Sequence, residues 1–138
     1  MHVNYLAIAS ATVLSFIFSS VYYILLNKKV TAYRAAAAKE VKAKAVDIRT
    51  TMTPNKIIIE ITRTFIMGLV LAYAVILLDI TTPAQAAILS IWLWVGFPVV
   101  LLVGSVIHEH FSGKLAIIHA GDWLVKLLIF TIILSLWR

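Results

Sequence analysis

Four long apolar stretches, set apart by short polar breaks, constrain this chain more than any other feature. They fall at about 3–26, 57–79, 84–107 and 115–137. An α-helix rises about 1.5 Å per residue, so about 20 apolar residues cross the hydrocarbon core of a bilayer. Each stretch is long enough. Inside hydrocarbon, backbone N–H and C=O groups must pair within the segment, and that requirement selects α-helix. The pattern predicts an all-α membrane protein, with four transmembrane helices in an antiparallel bundle forming one domain over residues 1–138.

Composition agrees. Hydrophobic residues make up 62% of the chain and mean hydropathy is +1.00, against roughly 45–50% apolar residues in a soluble domain. A globule this small would expose much of that apolar surface to water, and large exposed patches are rare on soluble monomers. The net charge of +6 is unevenly placed: eight of the 12 Lys and Arg lie between Lys28 and Lys56. Flanked by apolar runs, this cluster reads as a membrane-facing basic loop, not a nucleic-acid surface. The chain has no cysteine, which excludes disulfides, thiolate metal sites and Cys nucleophiles.

The charge pattern also predicts orientation. Met1 to Tyr5 carries no positive residue and Lys28-Lys29 follow the first apolar stretch, so this stretch reads as an uncleaved anchor. The positive-inside rule places the 27–56 loop in the cytoplasm, because only Glu40 and Asp47 oppose its basic residues. The uncharged Ile80-Thr81-Thr82-Pro83 turn and both termini are then outside a cell inner membrane that the chain crosses several times. Within the loop no Gly or Pro precedes Pro54, and Tyr33, Ala37, Val41, Ala45 and Ile48 recur at helical spacing. The first helix is therefore expected to continue into the cytoplasm, with residues 31–50 helical and Glu40 paired to Lys44. Lys28, Lys29, Arg34, Lys39, Lys42, Lys44 and Arg49 are candidate contacts for anionic lipid headgroups. Thr53 and Pro54 are placed to start span two, Pro83 opens span three, Gly113 precedes span four, and Pro98 is expected to kink span three.

Charges within the spans carry the most information. Glu60 and Arg63 lie in span two, Asp122 and Lys126 in span four, and such groups normally face a bundle interior or a wet cavity. On a helical wheel Lys56, Glu60, Arg63, Thr64 and Met67 share one face, and His119, Asp122 and Lys126 share another. The four charges sum to zero. Matched depth predicts that Arg63 approaches Asp122 and that Lys126 reaches back toward the same carboxylate. Glu60, Arg63, His119, Asp122 and Lys126 thus form a candidate intramembrane network, either a relay or polar pocket, or interhelical glue.

His108, Glu109 and His110 form a second candidate cluster at the cytoplasmic face. His-x-His in a loop lacks the spacing of a helix-borne zinc pair, so an interface role is preferred over metal. No catalytic triad order, nucleophile elbow, Walker loop or dinucleotide fingerprint is present. Trp137 fits an interfacial anchor, while Trp92, Trp94 and Trp123 fit packing. Gly68 with Ala72, and Ala116 with Ala120, have the spacing of close helix contacts.

Trp92-Leu93-Trp94-Val95-Gly96-Phe97, Gly104, the run Ile118-His119-Ala120-Gly121-Asp122-Trp123-Leu124-Val125 and the closing Leu136-Trp137 resemble a bacterial family of small four-helix membrane proteins, domain of unknown function 1761. The resemblance covers nearly the whole chain and implies the four-helix fold. Near the end of span one that family usually has Trp-Tyr-Ser-Pro, where this chain has Tyr22-Tyr23-Ile24-Leu25. Without the proline a longer first helix is expected. The position of Asp122 is often aromatic in that family, and the family itself implies no activity.

These readings point to a non-enzymatic membrane subunit that assembles with itself or a partner, with no cofactor, no metal and no nucleic acid. Two alternatives stay open. One is a small transporter or ion pathway along the polar stripes of spans two and four. The other is a membrane enzyme or metal site in the His108–His119 region.

Overall fold

The computed structural model describes residues 3–40, 54–109 and 111–137. Its elements are α1 (Tyr5–Glu40), α2 (Pro54–Leu77), α3 (Pro83–Trp94), a short π-helical segment (Val95–Val99), α4 (Val100–His108) and α5 (Gly113–Leu136). No strand occurs among the described residues. Four spans are long and apolar enough to cross a membrane: Tyr5–Ala37, Pro54–Leu77, Pro83–His108 and Gly113–Leu136. The protein is a multi-pass membrane protein.

The helix ends follow their sequence signals. Thr82 caps α3 by accepting from the Gln85 backbone N–H, while the Gln85 side chain accepts from the Thr82 backbone N–H, and Pro83 occupies the first turn. Pro54 and Gly113 are the first residues of α2 and α5. Thr53, expected as the cap of α2, lies outside the described residues, as does the 41–50 part of the expected cytoplasmic helix. The described part of α1 already has 36 residues, about 54 Å of helix against about 30 Å of hydrocarbon. It passes well beyond residue 26, as the absent proline implies. Asp79 falls in the turn after α2 instead of inside the span, with φ at 49°, a left-handed conformation that Asp tolerates better than most residues.

Pro98 does break the regularity of span three, in a specific form. A proline cannot donate its i→i−4 hydrogen bond, and the helix widens to a π-turn over Val95–Val99 around the buried Pro98 ring. Helix continues on both sides, so one span contains two helical pieces.

Helix α5 is central and packs against α1, α2 and the third span, whereas the third span rests chiefly on α5. Directions follow from the contacts. Ser19 meets Asp122, Tyr23 meets His119 and Tyr33 meets Lys114, so α1 and α5 run antiparallel. Glu60 meets Lys126 and Gly68 meets Phe130, so α2 and α5 run the same way. Two cores result. Ala7, Ile8, Ala11, Leu71, Ala72, Val75, Leu127, Phe130 and Leu134 fill the half away from the basic loop. Val30, Leu115 and Ile118 form a smaller cluster near it, with Tyr22, Tyr23, Leu26, Tyr33 and Phe111 around them. Between these cores lie the charges.

Candidate functional site: a buried ion chain between three helices

Helix periodicity puts Asp122 and Lys126 one turn apart on the face of α5 that meets α1 and α2. Asp122 is 4% exposed and Lys126 6%. The Lys126 side chain leans toward its helix N-terminus, as helical side chains do, and Nζ lies 3.1 Å from Asp122 Oδ2. The same ammonium donates to Glu60 Oε1 at 3.1 Å. Asp122 Oδ1 accepts from the Ser19 hydroxyl at 2.5 Å, and Glu60 Oε2 accepts from Arg63 at 3.1 Å. The groups form one chain across three helices: Ser19, Asp122, Lys126, Glu60, Arg63.

This corrects one expectation. Arg63 makes no ion pair with Asp122; its side chain is 63% exposed and its carboxylate partner is Glu60, one turn away on its own helix. Lys126 takes the bridging place because the interhelical face of α2 carries Glu60 inward and Arg63 outward. Two acid oxygens then sit close enough for a single ammonium. Burial grades along the chain, from Asp122 and Lys126 inside to a Glu60 side chain 35% exposed and Arg63 at the rim. Trp123 adds its ring face 5.9 Å from Lys126 Nζ, near the outer limit for a cation–π contact.

His119 leaves this chain for a neighbouring aromatic group. Its Nδ1 lies 2.5 Å from the Tyr23 hydroxyl, and its ring stacks on Phe111 at 5.7 Å between centroids. Tyr22 donates to the Ile118 carbonyl at 3.1 Å. Gly121 lets that ring approach: a Cβ there would lie 2.8 Å from the Tyr22 hydroxyl oxygen. His119 therefore fastens α1 to α5 beside the charges without touching them.

On the other side of α5, Ser90 and Thr131 share a hydrogen bond of 2.6 Å, and Trp94 Nε1 donates to the Ala120 carbonyl at 2.7 Å. Trp94 thus packs and also bonds. These contacts tie the third span to α5. Sequence reading missed Ser19, which carries no charge, although Thr12, Ser15, Ser19 and Tyr22 recur on α1 at helical spacing. That stripe was the available signal.

The second candidate cluster is more open. His108 and Glu109 are exposed at the end of α4, and His110 lies outside the described residues. Among the described residues no group of three His, Asp or Glu side chains could hold a metal ion. Of the basic candidates, Lys28 and Lys29 are exposed and Arg34 is half-buried on the α1 extension; Lys42, Lys44 and Arg49, and the side chain of Lys39, lie outside the described residues. Lys114 lies over the Tyr33 ring at 5.3 Å, binding the α1 extension to the start of α5.

The chain matches the family described as a protein of unknown function, DUF1761, over residues 6–135. It belongs to that family. The matched region takes in all four spans, including the ion chain and the Tyr23–His119 pair. No curated protein and no solved structure gives a significant match.

Proposed function

We propose that this DUF1761 protein is a non-enzymatic membrane subunit. In this reading its ion chain clamps spans one, two and four, and its outer surfaces assemble with a second copy of the chain. The observation that supports the reading is Lys126, more than nine-tenths buried and 3.1 Å from two carboxylates on different helices. Each oxygen of those carboxylates has a partner within the bundle. The charges are consumed in holding one another within α2 and α5 and in joining α1, α2 and α5.

Span three would supply the assembling surface. Of its helical residues only Ala86, Ser90 and Pro98 are buried. A Cβ at Gly96 or Gly104 would meet nothing within 4 Å, so a neighbouring helix could approach closely there. Single-molecule photobleaching of labelled protein in lipid bilayers is expected to show two-step bleaching that falls to single steps in Gly104→Leu. Single steps for the unaltered chain at every protein-to-lipid ratio would sink the self-assembly reading.

A second reading, an ion pathway, is favoured by one observation: the charged groups run from the buried Asp122 through Lys126 and Glu60 to Arg63, whose side chain is 63% exposed. Flux of protons or alkali cations into proteoliposomes, abolished by Glu60→Gln, would replace the clamp reading with transport.

The proposed orientation has the basic 27–56 loop in the cytoplasm and both termini outside, following the positive-inside rule, with Lys28, Lys29 and Arg34 near anionic headgroups. With no native cysteine to interfere, a membrane-impermeant thiol reagent applied to intact cells should label Thr81→Cys and spare Lys42→Cys. Thr81 is chosen because Thr82 caps α3. The opposite labelling pattern would invert the topology.

A further inference from the structure

Arg63 is the charge that the ion chain leaves least satisfied. Helix α2 has 24 residues, about 36 Å of helix against about 30 Å of hydrocarbon. With the helix centred in the bilayer, the Arg63 Cα is about 11 Å inside the boundary nearer the basic loop. Its side chain leans back toward that boundary, because Arg63 Nη1 donates to Glu60 Oε2 almost one turn earlier. The guanidinium gains about 5 Å in this way. It still lies inside the apolar slab, with 63% of the side chain exposed.

That guanidinium has more donors than the bundle uses. An arginine carries five N–H groups, and the bond to Glu60 engages Nη1. Glu60 is itself shared, since its other oxygen accepts from Lys126. Cations at this depth normally face the bundle interior or a wet cavity, whereas Arg63 stands on the outer face of α2. Ile59, four residues before it, and Ile66 and Val70, three and seven after, are exposed on the same stripe. Lys56, seven residues before Arg63 and so nearly two full turns toward the loop, is exposed there too. The stripe therefore presents cations at its loop end and aliphatic side chains below them. A phospholipid in that leaflet has the matching order, phosphate above and acyl chains beneath.

We propose that α2 holds one anionic phospholipid in the leaflet on the side of the basic loop, with its phosphate on Arg63 below Lys56 and its acyl chains along Ile66 and Val70. A planar guanidinium can take two phosphate oxygens at once, which a point charge cannot. Charge selects this occupant over a second copy of the chain. A two-fold dimer built on this stripe would set Arg63 against its own copy, while a phosphate brings an anion. A zwitterionic lipid fits less well, because its ammonium would meet Lys56. The site goes beyond the clamp, which needs only the Lys126 side of Glu60, and it is on a different span from the assembling surface. It also differs from the general attraction of Lys28, Lys29 and Arg34 to headgroups, being a single seat within a membrane span.

The test uses the full chain, its arginine side chains labelled with nitrogen-15, in bilayers of a neutral galactolipid that contains no phosphorus. Phosphatidylglycerol is the probe, added at a few molecules per chain, and nitrogen–phosphorus dipolar dephasing is read by solid-state NMR. The Arg63 guanidinium signal, assigned by its loss in Arg63→Gln, should be dephased. Phosphatidylcholine at the same ratio should dephase it several-fold less, and inorganic phosphate not at all. Three results would each overturn the proposal: no dephasing of Arg63 by phosphatidylglycerol, which would leave water or a protein as the occupant; equal dephasing by phosphatidylcholine; or dephasing by inorganic phosphate alone. Should Arg63→Gln fail to fold, a chain with Arg34→Lys, Arg49→Lys and Arg138→Lys keeps Arg63 as its only arginine and supplies the assignment. The outcome is separable from the clamp, which is read by the coupling between Lys126 and Asp122.

Discussion

Lys126→Met is expected to destabilise the bundle by about 3–5 kcal/mol, the usual loss when one partner of a buried pair is removed. The ammonium joins Asp122, with 4% exposure, to Glu60 on another helix. Without it Asp122 keeps only Ser19, and a buried carboxylate faces hydrocarbon with no counter-charge. Adding Asp122→Leu to Lys126→Met should recover most of the loss, since apolar groups of similar volume often replace buried ion pairs at little cost. Reversible unfolding in bicelles, run as a double-mutant cycle, measures the coupling. The same cycle on Arg63→Gln and Asp122→Asn should show weaker coupling than Lys126 with Asp122, because those two side chains do not meet and act on each other only through Lys126 and Glu60. Strong coupling there, with none between Lys126 and Asp122, would redraw the ion chain.

The next largest effect is expected at Gly68. A Cβ on this residue would lie 2.5 Å from Phe130 Cε1 and 3.0 Å from Ile8 Cγ2, and both of those residues are fully buried. Three helices meet at that point, so none of the three can move alone to make room. Gly68→Val should destabilise by about 1–3 kcal/mol, the usual range for overpacking a well-filled core. Phe130→Leu in the same molecule should relieve part of the loss by removing the ring edge that the new methyl groups strike. Gly96→Ala, whose Cβ meets nothing within 4 Å, should be neutral or stabilising, given that Ala is favoured over Gly in a helix interior by about 0.8–1.0 kcal/mol. A Gly68→Val protein as stable as the parent would mean that α2 and α5 do not pack at this distance.

Much of the architecture was legible because it rests on terms that are local in sequence. Span length, Pro54, Pro83 and Gly113 at helix starts, and the missing break after Tyr23 are all one-dimensional signals. The i,i+4 approach of Lys126 to Asp122 belongs with them, being set by one helix alone. What could not be read was which residue of span two meets span four. Glu60 and Arg63 have nearly equal depth and differ by three residues, or most of a turn, so helix rotation decides between them. That rotation is fixed by packing at Gly68, Thr64 and Leu71, through contacts distant in sequence. Ser19 was obscure for another reason: a lone hydroxyl in an apolar run ordinarily bonds its own backbone, and only Asp122 across the interface shows otherwise.

The central position of α5 bears on how the chain comes to be assembled in a membrane. It is the last of the four spans to be synthesised, yet α1, α2 and the third span all pack on it. As translation proceeds, α1 and α2 can pair through Ile8 and Gly68, but Glu60 has only Arg63 of its own helix as a counter-charge, and the third span has almost nothing to rest on. Both deficits end together when Lys126 and Thr131 arrive. Docking is therefore completed only after α5 inserts, and a ribosome that stalled before Gly113 would leave a three-span intermediate whose Glu60 lacks its interhelical ammonium, a ready substrate for membrane quality control.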